Sequence, residues 1–202
     1  MPLSTDSVRP TSSHNPALQT GDGIAPNTPF VRLATLADEE ACWHIVHQAA
    51  LDMVAKGRRQ WDSRYPSRDV IHHDLITQVG YVVEDQTQVV AYCAITFDGE
   101  PAYNHLQGNW LTTGDYATLH RTAVARDHQG RGLARLFFQH TEHLCRQRHV
   151  GAIRLDTNYD NVEMLHRLQE LGFTRCGICH YTRDGALTER IAFEKPLPAG
   201  HE

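Results

Sequence analysis

The sequence predicts an α/β protein with a single mixed, mostly antiparallel sheet flanked by helices on both faces. Three observations lead there. Short apolar runs alternate with segments of helical periodicity in the order β-α-α-β-β-β-α-β-α-β-β, and such mixed order packs as one sheet between helical layers. The chain has 202 residues, 41% of them hydrophobic and 21% charged, which suits one domain plus a tail and excludes collagen-like, coiled-coil and wholly disordered chains. Capping residues and glycines punctuate the helical segments where helices of ordinary length should start and stop.

Residues Met1 to Pro29 are rich in Ser, Thr, Pro, Asn and Gly without apolar periodicity, so they are expected to be a disordered tail. The folded domain is expected over residues 30–197, with a short C-terminal tail at 198–202. Phe30 to Ala34 reads as a strand. Thr35 and Asp38 form a capping-box-like start for a helix whose apolar face is Cys42, Ile45, Val46, Ala49 and Met53, closed by Gly57. Ser67 caps a second helix carrying Val70, Ile71, Leu75 and Ile76. Tyr81–Glu84 and Val89–Phe97 read as a hairpin joined at Asp85-Gln86-Thr87. A long loop, Asp98–Tyr116, follows, and loops of this length are usually functional or mobile. Thr118–Val124 is a strand, Leu133–Arg148 a helix and Ala152–Thr157 a strand. Asp160 with Glu163 starts a helix that runs through Leu171 and stops at Gly172. Phe173–Tyr181 and Ile191–Glu194 complete the sheet.

Charge and cysteine content narrow the classes of function. Nineteen basic residues face 24 acidic ones, a net charge of -5, so neither nucleic acid nor an anionic membrane is an expected partner. All the basic residues except Lys56 and Lys195 are arginines. Five scattered cysteines, an odd number, read as buried thiols in a reducing compartment, and Cys176-Gly177-Ile178-Cys179 lies inside a strand, where a disulfide is geometrically poor. No secretory signal and no apolar run long enough to span a bilayer is present, so the expected location is cytoplasmic. His72-His73 and His140/His143 lack a third ligand, and no metal is expected.

The stretch that carries chemistry is Val124 to Ala134. It joins a strand to a helix through Gln129-x-x-Gly132-x-Ala134. Gly130 and Gly132 let backbone N–H groups converge beside a helix N-terminus, which makes an anion site for a phosphate or pyrophosphate, with Arg131 and Arg135 able to add charge. A tight strand–helix turn needs the same glycines. No Gly-Lys-Ser/Thr follows, and Arg135 stands where a dinucleotide fingerprint has its third glycine.

Together with Asn161-x-x-Met164 and Leu171-Gly172-Phe173, this loop resembles the signature of the GNAT acetyltransferase superfamily, over about Phe30 to Leu197. The resemblance implies an acetyl-CoA-dependent N-acetyltransferase that acetylates a primary amine of a small molecule or peptide by direct attack in a ternary complex. It implies that the backbone of Gln129, Gly130, Arg131, Gly132, Leu133 and Ala134 cradles the pyrophosphate, with Arg135 a further cofactor contact. It also implies that main-chain groups of Thr122 and Val124 bond the pantetheine, in a gap opened where the Val124 strand splays from its neighbour near Leu155. Asn161 is a cofactor contact or a plain helix cap. A homodimer is compatible with the family.

The family's frequent tyrosine acid falls at Leu168, which cannot donate a proton. This departure favours the alternative of a GNAT-fold module that binds acyl-CoA with little or no turnover. His120 is the candidate base: strand alternation would put Thr118, His120, Thr122 and Val124 on the cofactor side, with an apparent pKa in the histidine range. A hydrogen-bonded core histidine is the competing reading, and His180 and Tyr181 are further candidates. The acceptor region is expected to hold Trp61, Tyr65 and Trp110, with Tyr103 and with Arg58, Arg59 and Arg64 nearby, an arrangement suited to an acceptor that bears a carboxylate. Ordinary packing of the two tryptophans would use the same residues.

Overall fold

A computed structural model describes residues 28–62, 64–183 and 185–198. The N-terminal tail through residue 27 and the C-terminal tail beyond Pro198 lie outside the described residues. The elements are β1 (Phe30–Leu33), α1 (Glu39–Ala55), α2 (Arg68–Ile76), β2 (Gly80–Asp85), β3 (Gln88–Thr96), β4 (Gln107–Gly108), β5 (Tyr116–Val124), α3 (Leu133–Gln147), β6 (Ala152–Thr157), α4 (Val162–Glu170), β7 (Thr174–Arg183) and β8 (Ala186–Pro196). Among the described residues the strands form one sheet in the order β1-β2-β3-β5-β6-β8-β7-β4, and β5–β6 is the parallel pair. The other neighbours are antiparallel.

Strand periodicity divides the core into two layers. Val83, Ala91, Cys93 and Ile95 face α3 and α4, packing with Phe137, Phe138 and Leu168. Val82 and Tyr92, one residue out of phase, face α1 and α2 and pack with Cys42, Ile45, Val46, Ile71 and Leu75. The chain enters α1 through a 3-10 turn in which the Asp38 carboxylate accepts the Thr35 N–H at 2.8 Å, and Ser67 caps α2 by accepting the Val70 N–H at 3.3 Å.

Three sequence expectations are corrected. The start of α4 is Asn161, whose side chain accepts the Met164 N–H at 3.4 Å; Asp160 instead accepts the Arg59 N–H at 3.0 Å. The segment between β3 and β5 is a built element, with a 3-10 turn at Pro101–His105 and the edge strand β4. Buried Glu194 secures it by accepting from the Thr112 hydroxyl at 2.6 Å, the Leu111 N–H and Arg154 Nε at 2.9 Å. The Arg154 guanidinium lies 4.3 Å from the Trp110 ring centroid and 4.1 Å from that of Tyr116. Trp110 therefore packs against Tyr103, Tyr116 and Arg154 and lines neither of the two main cavities.

The third correction concerns β5. Ala94 of β3 pairs with His120, while Tyr92 pairs with Ala123, so β5 advances three residues against two of β3. Arg121 takes up the extra residue with φ 54°, a β-bulge that breaks the alternation expected from Thr118 to Val124. His120 thereby parts company with Thr122 and Val124 and lines a different cavity.

Candidate active site

Strands β5 and β6 stay paired only from Tyr116↔Ala152 to Thr118↔Arg154. Beyond that point they separate, and a recess opens on each side of the split.

The first recess is a cleft of about 390 Å³ lined by Thr122, Val124, His128, Gln129, Gly130, Gly132, Leu133, Ala134, Asn161 and Met164, with Lys56, Arg58 and Arg167 among its charged residues. Gly130 and Gly132 adopt φ of +77° and +78°, which L side chains rarely hold, and a Cβ at either position would meet no heavy atom within 4 Å. Their role is therefore conformational: they turn the chain so that the backbone meets open space. Gly132 is the N-cap of α3 and no side chain caps that end, so the first-turn N–H groups of a 15-residue helix point out with their positive potential. The arrangement fits a bound phosphate or pyrophosphate.

Not every expected contact lies in this cleft. Arg131 turns away and pairs with Asp85 at 2.8 Å, and Arg135 lines neither main cavity. Gln129 Nε2 donates to the Val124 carbonyl at 3.3 Å, so that carbonyl already has a partner. Asn161 serves both as helix cap and as cleft lining. Its Nδ2 donates to Gln60 Oε1 at 3.2 Å, the same oxygen that accepts the Thr157 hydroxyl at 2.9 Å and the Asn158 N–H at 3.1 Å. Arg58, expected near the acceptor, borders this cleft and pairs with Glu163.

The second recess is a cavity of about 470 Å³, whose walls include Trp61, Tyr65, Val79, Leu119, His120, Arg121, Tyr181 and Arg190, with the carboxylates of Asp74, Asp98, Glu100 and Asp156. Arg59 and Arg64 are not in its wall. Burial, and next the charge of Arg121, push the His120 imidazole down to about 3, so it stays neutral across the physiological range. This overturns the expected histidine-range titration. Across the split, Asp156 Oδ1 accepts hydrogen bonds from Tyr181 at 2.7 Å and Tyr103 at 2.8 Å. Burial raises the Asp156 carboxyl above the ordinary carboxylate range despite those donors, and burial likewise raises Glu100, whose Oε2 lies 3.9 Å from His120 Nε2. Arg121 forks onto Asp74 with two contacts of 2.8 Å, and Asp74 also accepts the Tyr92 hydroxyl at 2.7 Å. His180 lies outside the cavity, within 3.5 Å of Glu189.

Between the two recesses a narrow space of about 40 Å³ is bounded by Gln60, Trp61, Arg121, Thr122, Asp156, Asn161 and Met164. Leu168 is fully buried in the core and borders none of these spaces. Sequence reading missed Asp156, Glu100, Gln60 and Arg121. A signal existed for one of them: Asp156 is a carboxylate near the end of a short strand, Ala152–Thr157, that is otherwise buried along its length.

Residues 39–173 match the model of the acetyltransferase (GNAT) family. The chain belongs to that family. A GNAT acetyltransferase from Streptococcus agalactiae superposes with a TM-score of 0.72 at 29% identity, covering 84% of this chain and 95% of that one. The Salmonella typhimurium protein yncA, solved with its cofactor acetyl-CoA, shares the fold at a TM-score of 0.62 and 18% identity, covering 87% of this chain and 98% of that one. Streptothricin acetyltransferase of Streptomyces lavendulae is 30% identical over 77 residues; the matched segment is 38% of this chain and 38% of that enzyme's length. GNAT proteins use acetyl-CoA, and the cleft at the α3 N-terminus fits its phosphates.

No helix among the described residues is long and apolar enough to cross a membrane, and no group of three or more His, Cys, Asp or Glu among them is placed to hold a metal ion. All five cysteines are free.

Proposed function

We propose that this GNAT protein is an acetyl-CoA-dependent N-acetyltransferase whose acceptor is a primary amine of a small molecule or peptide. The observation that carries this reading is the split between β5 and β6, with an anion-binding cleft on one side, a carboxylate-lined cavity on the other and a narrow space between them. The cosubstrate supplies an acetyl thioester, so transfer forms a C–N bond, breaks the C–S bond and releases a thiol.

The chain's residues divide the work. Backbone N–H groups of residues 129–134 and the α3 N-terminus hold the pyrophosphate, while Lys56 and Arg58, both paired with Glu163, and Arg167 line the cleft around it. Thr122, Val124 and Asn161 line the path toward the narrow space. Asp156 takes the proton of the attacking amine: it borders both the acceptor cavity and the narrow space, and it ionises at a higher pH than an ordinary carboxylate, which makes it a stronger base. His120, on the opposite strand, remains neutral and accepts a hydrogen bond from the amine, orienting its lone pair. Arg121, beside the same narrow space, keeps its guanidinium on the Asp74 carboxylate and so holds the wall of the site in place.

The test pairs acetyl-CoA binding by calorimetry with thiol release over a panel of amines. Binding together with amine-dependent thiol release is expected. Binding without release for any amine would leave the binding-module reading, and no binding would remove the cofactor assignment.

A further inference from the structure

Resting on the N-acetyltransferase reading, we infer that the acceptor is a cation with a second positive charge a few methylenes from the amine that reacts, a linear diamine or a longer polyamine-like chain. The charge balance of the acceptor cavity carries this inference. Its two arginines are already committed. Arg121 forks onto Asp74, and Arg190 donates to the carbonyls of Glu189 at 3.0 Å and Gln60 at 3.2 Å. Arg121 is neutralised by Asp74, which leaves the single charge of Arg190 facing Asp98, Glu100 and Asp156 in the same wall.

The carboxylates are not balanced in the same way. Both tyrosines bond Asp156 through Oδ1, and no donor among the described residues reaches Oδ2 of this half-buried side chain in the cavity wall. Glu100 uses one oxygen to accept the Ala102 N–H at 3.2 Å and turns the other toward the cavity and His120. Asp98 follows, exposed, and with Gly99 and Glu100 it also borders an adjoining groove of about 350 Å³ that contains Asp115.

A line of acids thus runs from the strand split to the surface: Asp156, Glu100, Asp98 and Asp115. Trp61, Tyr65, Leu119 and Val79 supply apolar wall beside its inner part. An ammonium at Asp156 and a second at the outer acids, joined by methylenes along that wall, satisfies both charge and surface. No cluster placed for a metal ion competes for these groups among the described residues.

The experiment titrates the protein calorimetrically with linear α,ω-diamines of three to five carbons, with monoamines of equal length and with an α-amino acid, and runs thiol release with acetyl-CoA in parallel. The best diamine should bind at least tenfold more tightly than its matched monoamine. The double variant Asp98→Asn/Asp115→Asn, at two exposed positions, should cut that ratio to below about threefold. A monoamine or the amino acid binding as tightly as the diamines would overturn the inference, as would a ratio unmoved in the double variant or the binding of no amine. Diamine preference without thiol release would leave the ligand class standing and sink the transferase reading. Thiol release with a monoamine preferred would do the reverse.

Discussion

The two recesses at the β5–β6 split are built in different ways. The cofactor-side cleft rests on a short, local stretch, residues 122–134, whose effective groups are backbone N–H groups exposed by two glycines and an uncapped helix. The acceptor cavity is assembled from side chains as far apart as Gln60 and Arg190, held in place by long-range contacts such as Arg121–Asp74, Tyr92–Asp74 and Tyr103–Asp156. A site made of backbone is damaged by adding atoms. One made of paired side chains is damaged by removing charge, and it takes the fold down with it.

The largest effect expected from that contrast is at Gly132. Gly132→Glu puts a side chain at φ +78° and a carboxylate where phosphates should bind, and acetyl-CoA affinity should fall by about a thousandfold, roughly 4 kcal/mol, in a protein that still melts cooperatively. Unchanged affinity in a folded variant would remove the loop from the cofactor site.

Next is Arg121→Met, which strands the buried Asp74 carboxylate and should cost about 3 kcal/mol of unfolding free energy in urea titration. A loss under about 1 kcal/mol would show that the acceptor wall does not depend on this pair.

Asp156→Asn keeps the shape and the tyrosine contacts but removes the base. Thiol release should slow by about a hundredfold while acetyl-CoA binding holds within threefold. A variant equally impaired in both would join the two recesses into one energetic unit.

The last effect is a pH slope, small at any one pH and absent near neutrality. His120 in the folded protein is pushed down to about 3 against about 6.5 in the unfolded chain. Between those values the unfolded state binds more protons, so stability rises with pH and falls on acidification from about 6.5 toward 3, by at most about 1.4 kcal/mol per unit. His120→Gln should flatten that slope in denaturation series at several pH values, and an identical slope in both proteins would place His120 in contact with water.

Packing also corrects a mutation that the motif alone recommends. Leu168→Tyr looks from sequence like the restoration of a proton donor. Because Leu168 is sealed among core residues such as Phe138 and Phe173, the added ring should overpack the core and lower the melting temperature before it could serve any thiolate.

By itself the sequence determined the order of the elements other than the edge strand β4, and the glycine loop with its helix, because each depends on residues that are neighbours along the chain. Trp61 and Tyr65, singled out in the sequence from their place between the first two helices, line the second recess. The tertiary structure alone decided that Arg121 forms a bulge and that His120 lines the second recess. It decided too that Arg131 spends its charge on Asp85, that Trp110 is packed beneath Arg154, and that Asp156 meets Tyr103 and Tyr181 at the mouth of the split. The physical reason is range. Backbone conformation and periodicity follow from adjacent residues, whereas the charge balance of a cavity is a sum over side chains that only the folded sheet brings together.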